Sequence, residues 1–210
     1  MSFNLAITND WRGNIIENSS IRISLSIKNE INSLIVHIKA PYYGFNEAES
    51  TNKYLPKGRL ERLWEYEVVE LFISHSDTSN VSLTPYTELI VGPHGHYLLL
   101  KHTGQGDWSE CIDTYTLNEV SITLDEVSNT WSADVTITLN LLPSPLSVSA
   151  KGDESRPEGI QCYQWAFNAF AIHGSEPNRT YMSYQAVPGD YPNFHQLKYF
   201  VPLILPIGSY

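Results

Sequence analysis

Alternation constrains this chain more than any other feature. In IRISLSI, Ile21, Ile23, Leu25 and Ile27 take every second place, with Arg22, Ser24 and Ser26 between them. WSADVTITL repeats the pattern with Trp131, Ala133, Val135, Ile137 and Leu139. Successive side chains of a strand point to opposite faces, so segments of this kind bury one face and wet the other. No convincing helical periodicity competes with them. SLIVHIKA follows IRISLSI across the polar KNEIN, and YTELIV is joined to HYLLLK by GPHG, so both pairs read as hairpins. With VSITL, CYQWAFNAFAI, YMSYQAV and FHQLKYFVPLIL, about ten strands separated by turns predict an all-β chain. The expected architecture is a single-domain β-sandwich of jelly-roll type over residues 1–210, with long internal loops at 41–63 and 143–160.

Composition narrows the partners. Hydrophobic residues make up 42% of the chain, enough for a substantial core, and the formal charge is −10. No basic cluster longer than a pair is present, so neither nucleic acid nor an anionic membrane is an expected partner. The N-terminal MSFNLAITNDWRGN lacks the pattern of a secretory signal, no apolar run is long enough to span a bilayer, and a cytoplasmic protein is expected. Cys111 and Cys162 stand far apart, which excludes a cysteine zinc cluster and favours two free thiols.

One strand carries a contradiction. LWEYEVVELFI, from Leu63 to Ile73, holds Glu65, Glu67 and Glu70 among large apolar residues. Read as a strand, it puts Trp64, Tyr66, Val68, Glu70 and Phe72 on one face. Glu65 and Glu67 fit a solvated strand entry. Glu70 does not, and needs either a partner such as Arg62 or Arg179 or access to a wet cleft. Glu88 is a second acid inside an apolar strand, on one face with Tyr86 and Ile90, and adjacent strands would set it beside Glu70. Asn168 interrupts WAFNAFAI in the same way, and its amide must be satisfied wherever it is buried.

At this point the residues resemble a known family. A strand reading V-E-L-F-I, with a tryptophan six residues before its glutamate, then YTELIVGPHGHYL and a later W-x-F-N strand, is similar to the family 9 carbohydrate-binding modules and their DOMON-like relatives. A closer resemblance is to a family named after an open reading frame on chromosome 4, through LWEYEVVELF, Y-x-E-L-x-V-GPHG, WAFNAFAIHG and FHQLKYF. The resemblance implies a β-sandwich. It also implies that Trp64 stacks on a sugar ring and that Glu70 accepts hydrogen bonds from hydroxyls. Those modules carry an arginine and an amide on the next strand, where YTELIVG has Glu88 and Ile90 instead.

Other chemistries find less support. His94 and His96 in GPHGHY lack a third ligand at fixed spacing, so no metal is expected. Met182 is the single internal methionine, and no feature pairs it with a histidine as haem ligands would be paired, so no cofactor is expected. Neither a GxSxG elbow nor a phosphate-binding loop occurs. The expected function is non-catalytic binding of a small polar ligand, carbohydrate foremost, in a cleft lined by Trp64, Glu70, Glu88, Asn168 and His195. Two alternatives stand beside it: a hydrolase-like enzyme using the paired carboxylates, and an interaction module using loop 41–63 with Tyr42, Tyr43 and Phe45.

Overall fold

The computed structural model describes residues 2–17, 20–44, 55–104, 117, 119–149 and 161–207. Among them, helical structure is confined to single 3-10 turns, and no helix is long and apolar enough to cross a membrane. Two sheets form. The first has five antiparallel strands in the order β1 (Phe3–Ile7), β3 (Ile21–Lys28), β4 (Ser33–Pro41), β10 (Thr130–Thr138) and β9 (Glu119–Asp125). The second has nine strands. Its path runs β2 (Asn9–Asp10), β13 (Thr180–Ser183), β12 (Gln161–His173), β6 (Val68–Ser74), β7 (Tyr86–Val91), β8 (His96–His102) and β5 (Gly58–Arg59). Strands β11 (Leu146–Ser149) and β14 (Val201–Pro206) also pair with the long β12.

The alternation read from the sequence is what joins the sheets. Ile21, Ile23 and Leu25 of β3, and Trp131, Ala133, Val135 and Ile137 of β10, are buried against Val69, Leu71 and Ile73 of β6 and Phe167 and Ala169 of β12. Their outward neighbours stay in water, as strand pleating requires. The β3–β4 hairpin closes through the turn Asn29–Ile31 and Asn32, whose φ of 47° is a left-handed conformation that asparagine tolerates. The result is a β-sandwich, as the sequence predicts.

The nine-stranded sheet is unusual in that its other face is covered as well. Val68, Phe72, Ile90, Leu98, Leu100, Phe170 and Ile172 form a second apolar layer with Trp11, Val187, Phe194 and Leu197. The covering pieces come from the chain around residues 187–200, and Phe194 stacks on Phe170 at 4.0 Å to hold that segment down. Strands such as VVELFIS and YTELIV therefore read as apolar on both faces because both faces are buried.

Two expectations need correction. The strand predicted from Leu63 begins only at Val68, because Arg62 adopts a left-handed conformation (φ 58°) and Leu63–Glu65 forms a 3-10 turn. Glu67 is not a solvated entry charge. It is 3% exposed, and its carboxylate accepts the amides of Tyr43 at 3.1 Å and Gly44 at 3.0 Å. Consecutive amides of this kind make a small anion nest. The same contact folds the start of loop 41–63 inward: Tyr42 meets the ring of His94, and Tyr43 stacks on His173 at 3.6 Å. These two tyrosines are half-buried and do not form an exposed apolar patch. Phe45, Cys111 and the stretch 150–160 of the second expected loop lie outside the described residues, whereas Cys162 is buried.

Candidate functional site

The outer layer of the nine-stranded sheet is incomplete. Where it parts, a cleft of about 800 Å³ opens onto the strands. Its floor is the outward face of β6, β7 and β8, carrying Glu70, Glu88, Leu98 and Leu100. The turn 63–65 supplies one wall through Trp64. Arg179 and Tyr181, at the start of β13, supply another, and Tyr191, Asn193 and His195 close the third.

Strand register explains the floor. Glu70 stands opposite Ile90 and Phe72 opposite Glu88, so the two acids are diagonal neighbours on one face. Glu88 in turn faces Leu100, and His102 faces Tyr86, which makes His102 the next diagonal neighbour. The His102 imidazole and the Glu88 carboxyl share a hydrogen bond, Nε2 to Oε2, of 2.8 Å. The Tyr86 ring stacks on His102 with centroids 4.2 Å apart, while its hydroxyl is 2.7 Å from Nδ1 of His195. A chain of polar groups thus crosses the apolar layer from Glu88 to His195.

Burial sets the charge state. It pushes the Glu88 carboxyl up to about 8 and His102 down to about 4. Both shifts favour neutral partners, a carboxylic acid hydrogen-bonded to an imidazole, and the pair carries no net charge. His195 is lowered to about 3, by burial first and by His102 second. Glu70 is raised well above the ordinary carboxyl value, again chiefly by burial, then by Glu88, with Arg179 opposing.

Glu70 is 2% exposed, and among the described residues nothing hydrogen-bonds its carboxyl or forms an ion pair with it. Arg62 is engaged by Glu65. Arg179 donates to the carbonyl of Trp64 at 2.5 Å and lies 5.7 Å from the Tyr181 ring centroid. Neither arginine is the structural partner the sequence offered for Glu70. Its carboxyl faces the cleft instead.

Trp64, Glu70, Glu88 and His195 therefore meet in one hollow, and Trp64, 39% exposed, is a rim residue rather than core. Asn168 is the exception and a correction. Its amide donates to the carbonyl of Gln185 at 2.9 Å and its oxygen accepts the amides of Ala169 and Gln185. A fully buried amide with those partners staples a loop to β12 and leaves nothing for a ligand. Alternation misses Arg179 and Asn193, because they come from connecting segments where no period applies, and Tyr181, which lies on the short strand β13. It could have found His102, which shares a face with Leu98 and Leu100 in HYLLLKH. His94 and His96 diverge: His94 meets Tyr42, and His96 contacts the carbonyl of Pro56 at 3.1 Å.

The chain is thus a β-sandwich with one sheet opened into an aromatic-rimmed, carboxylate-floored cleft. The crystal structure described as "a putative carbohydrate-binding protein from Bacteroides uniformis ATCC 8492" superposes with a TM-score of 0.63 at 12% identity, over 98% of this chain and 86% of that one. That likeness establishes the fold. The chain is 26% identical over 209 residues to the UPF0462 protein C4orf33 homolog of Rattus norvegicus, covering 96% of this chain and 87% of that protein. To the human UPF0462 protein C4orf33 it is 26% identical over 208 residues, covering 92% and 84%. The Mus musculus homolog is 29% identical over 161 residues, 70% of this chain and 65% of that protein. These curated homologues bear out the resemblance to the family named after an open reading frame on chromosome 4. No family model matches the chain.

Proposed function

We propose that the cleft binds a small, uncharged, hydroxyl-rich ligand, a carbohydrate, without transforming it. One observation carries the reading: Glu70, a buried carboxyl with no hydrogen-bond partner among the described residues, forms the floor of a hollow rimmed by Trp64, Tyr181 and Tyr191. A buried acceptor left open in this way is costly unless a ligand completes it. Sugars present hydroxyls to such groups and an apolar ring face to an aromatic rim. Arg179 and Asn193 add donors, so the arginine and amide absent from the strand after Glu70 are available from turns. The fold shared with a protein described as a putative carbohydrate-binding one adds support.

The test is calorimetry and thermal shift against a panel of mono- and oligosaccharides. A saccharide that binds the wild type and is lost in Glu70→Gln and Trp64→Ala is the expected result. Silence across the panel would overturn the proposal. A second reading, saccharide hydrolysis, is favoured by two carboxyls lying as diagonal neighbours on the cleft floor, both raised by burial. It requires time-dependent cleavage that Glu70→Gln abolishes.

A further inference from the structure

We infer that Glu88, His102 and His195 form a site for one divalent transition-metal ion of the zinc class at the floor of the cleft. The inference stands on the donors themselves and is independent of what the cleft binds. One ligand atom from each of the three lies within 4.8 Å of the others. The closest pair, His102 Nε2 and Glu88 Oε2, is 2.8 Å apart. Donors held 2.0–2.2 Å from a tetrahedral zinc stand about 3.4 Å from one another, so a small adjustment brings the set to coordination distance.

Three elements cooperate to aim these groups. Glu88 comes from β7, His102 from β8, and His195 from the segment pinned over the sheet by Phe194. Tyr86 then orients both imidazoles, one through its hydroxyl at Nδ1 of His195 and the other through its ring face. Metal-bound histidines characteristically have their second nitrogen or ring plane fixed by such a neighbour.

Electrostatics points the same way. The floor holds two carboxyls, and among the described residues neither has a lysine or arginine within ion-pair distance. Glu70, buried and unpartnered beside Glu88, is the second independent sign that the hollow is built for an absent group. A bound cation would favour the ionised form of both buried acids, and their charge would in turn hold it. Two imidazoles and one carboxylate suit zinc or ferrous iron more than calcium or magnesium, which prefer all-oxygen sites. Three protein ligands leave a tetrahedral ion one position short, open to water or to the cleft's occupant.

The experiment uses the full chain, stripped with a chelator, titrated with Zn²⁺ by calorimetry and with Co²⁺ by absorption. The expected result is one ion per chain, ligand-field bands of coordinated cobalt, and a rise in Tm. Glu88→Gln and His195→Gln should each abolish stoichiometric uptake, and Tyr86→Phe should weaken it about tenfold. His37→Ala should change nothing, although His37 makes a 2.8 Å pair with Asp134 on the surface. Near-UV circular dichroism verifies each fold, and His195→Gln, outside any strand, decides if Glu88→Gln fails to fold. Absence of stoichiometric uptake by the wild type, or uptake unchanged in both ligand variants, overturns the inference. Saccharide titrations run in chelator keep that result separate from the carbohydrate reading.

Discussion

The two faces of the nine-stranded sheet are built from the same strands to opposite ends. The inner face is apolar across its centre, through Val69, Leu71 and Ile73 of β6 with Leu89, Val91, Leu99 and Phe167. On the outer face the same strands alternate Phe72, Ile90 and Leu98 with Glu70, Glu88 and His102. Both faces exclude water, yet at the centre of the sheet only the outer one carries carboxyls. The inner face is closed by a second sheet with matching pleats, so a charged group at its centre would be left without a partner. The outer face is closed by turns and one irregular segment, and such pieces leave a gap. A gap is where polar groups can be kept buried and still be reached.

The comparison is broken most severely on the inner side. Phe167→Ala should destabilise the protein by about 3–5 kcal/mol, because the close-packed sheets cannot collapse into the space. Chemical denaturation would show it as a lower midpoint with an unchanged slope. A loss below about 1 kcal/mol would mean that the sheets are not packed as described.

A second contrast lies within one strand entry. Glu67 and Glu70 are almost equally buried, but Glu67 accepts two backbone amides and Glu70 accepts none. Glu67→Gln sets an amide N–H against an N–H and should cost about 2 kcal/mol. Glu70→Leu removes an unsatisfied acid from an apolar setting and should stabilise by about 1 kcal/mol while ligand binding disappears. If Glu70→Leu destabilises as Glu67→Gln does, Glu70 belongs to the scaffold.

The histidines sharpen the comparison through pH. His173, on β12 and stacked on Tyr43, is lowered by burial from 6.5 to about 4. Between those values the unfolded chain holds a proton on this residue that the folded chain does not. Acidification through that window therefore favours unfolding, and below about 4 the contribution is constant. Glu88, raised to about 8, acts with the opposite sign above its ordinary 4.5, as does Glu70, while His102 and His195 act with the sign of His173, so the wild-type profile sums them all. His173→Gln should flatten the acid limb of the Tm–pH curve relative to wild type. An unchanged limb would mean that His173 titrates alike in both states.

How much of this was legible follows from which residues obey a period. Ile21 to Ile27 and Trp131 to Ile137 declared the sandwich, because a pleated strand between water and core has only one way to alternate. Glu70 and Glu88 were legible for the same reason, as breaks in that rule. Asn168 broke the rule identically and proved structural, since sequence gives a buried amide no address for its partners, and here they lie on Gln185. Glu67 misled because the backbone amides that satisfy it leave no mark on residue identity. Arg179 and Asn193 reach the cleft from turns, where spacing carries no direction.

The smallest expected effect on stability tests the rim. Trp64 is 39% exposed on a turn that precedes the strand, so it is less completely packed than the core aromatics. Trp64→Ala should therefore cost about 1 kcal/mol or less, in contrast with Phe167→Ala across the same sheet. A large exposed aromatic beside a hollow is nonetheless an expense to solubility that most surfaces avoid. If it exists to stack on a sugar, the variant should lose saccharide affinity while its Tm holds. Loss of Tm without loss of binding would move Trp64 from the cleft to the scaffold, and the aromatic rim would then rest on Tyr181 and Tyr191 alone.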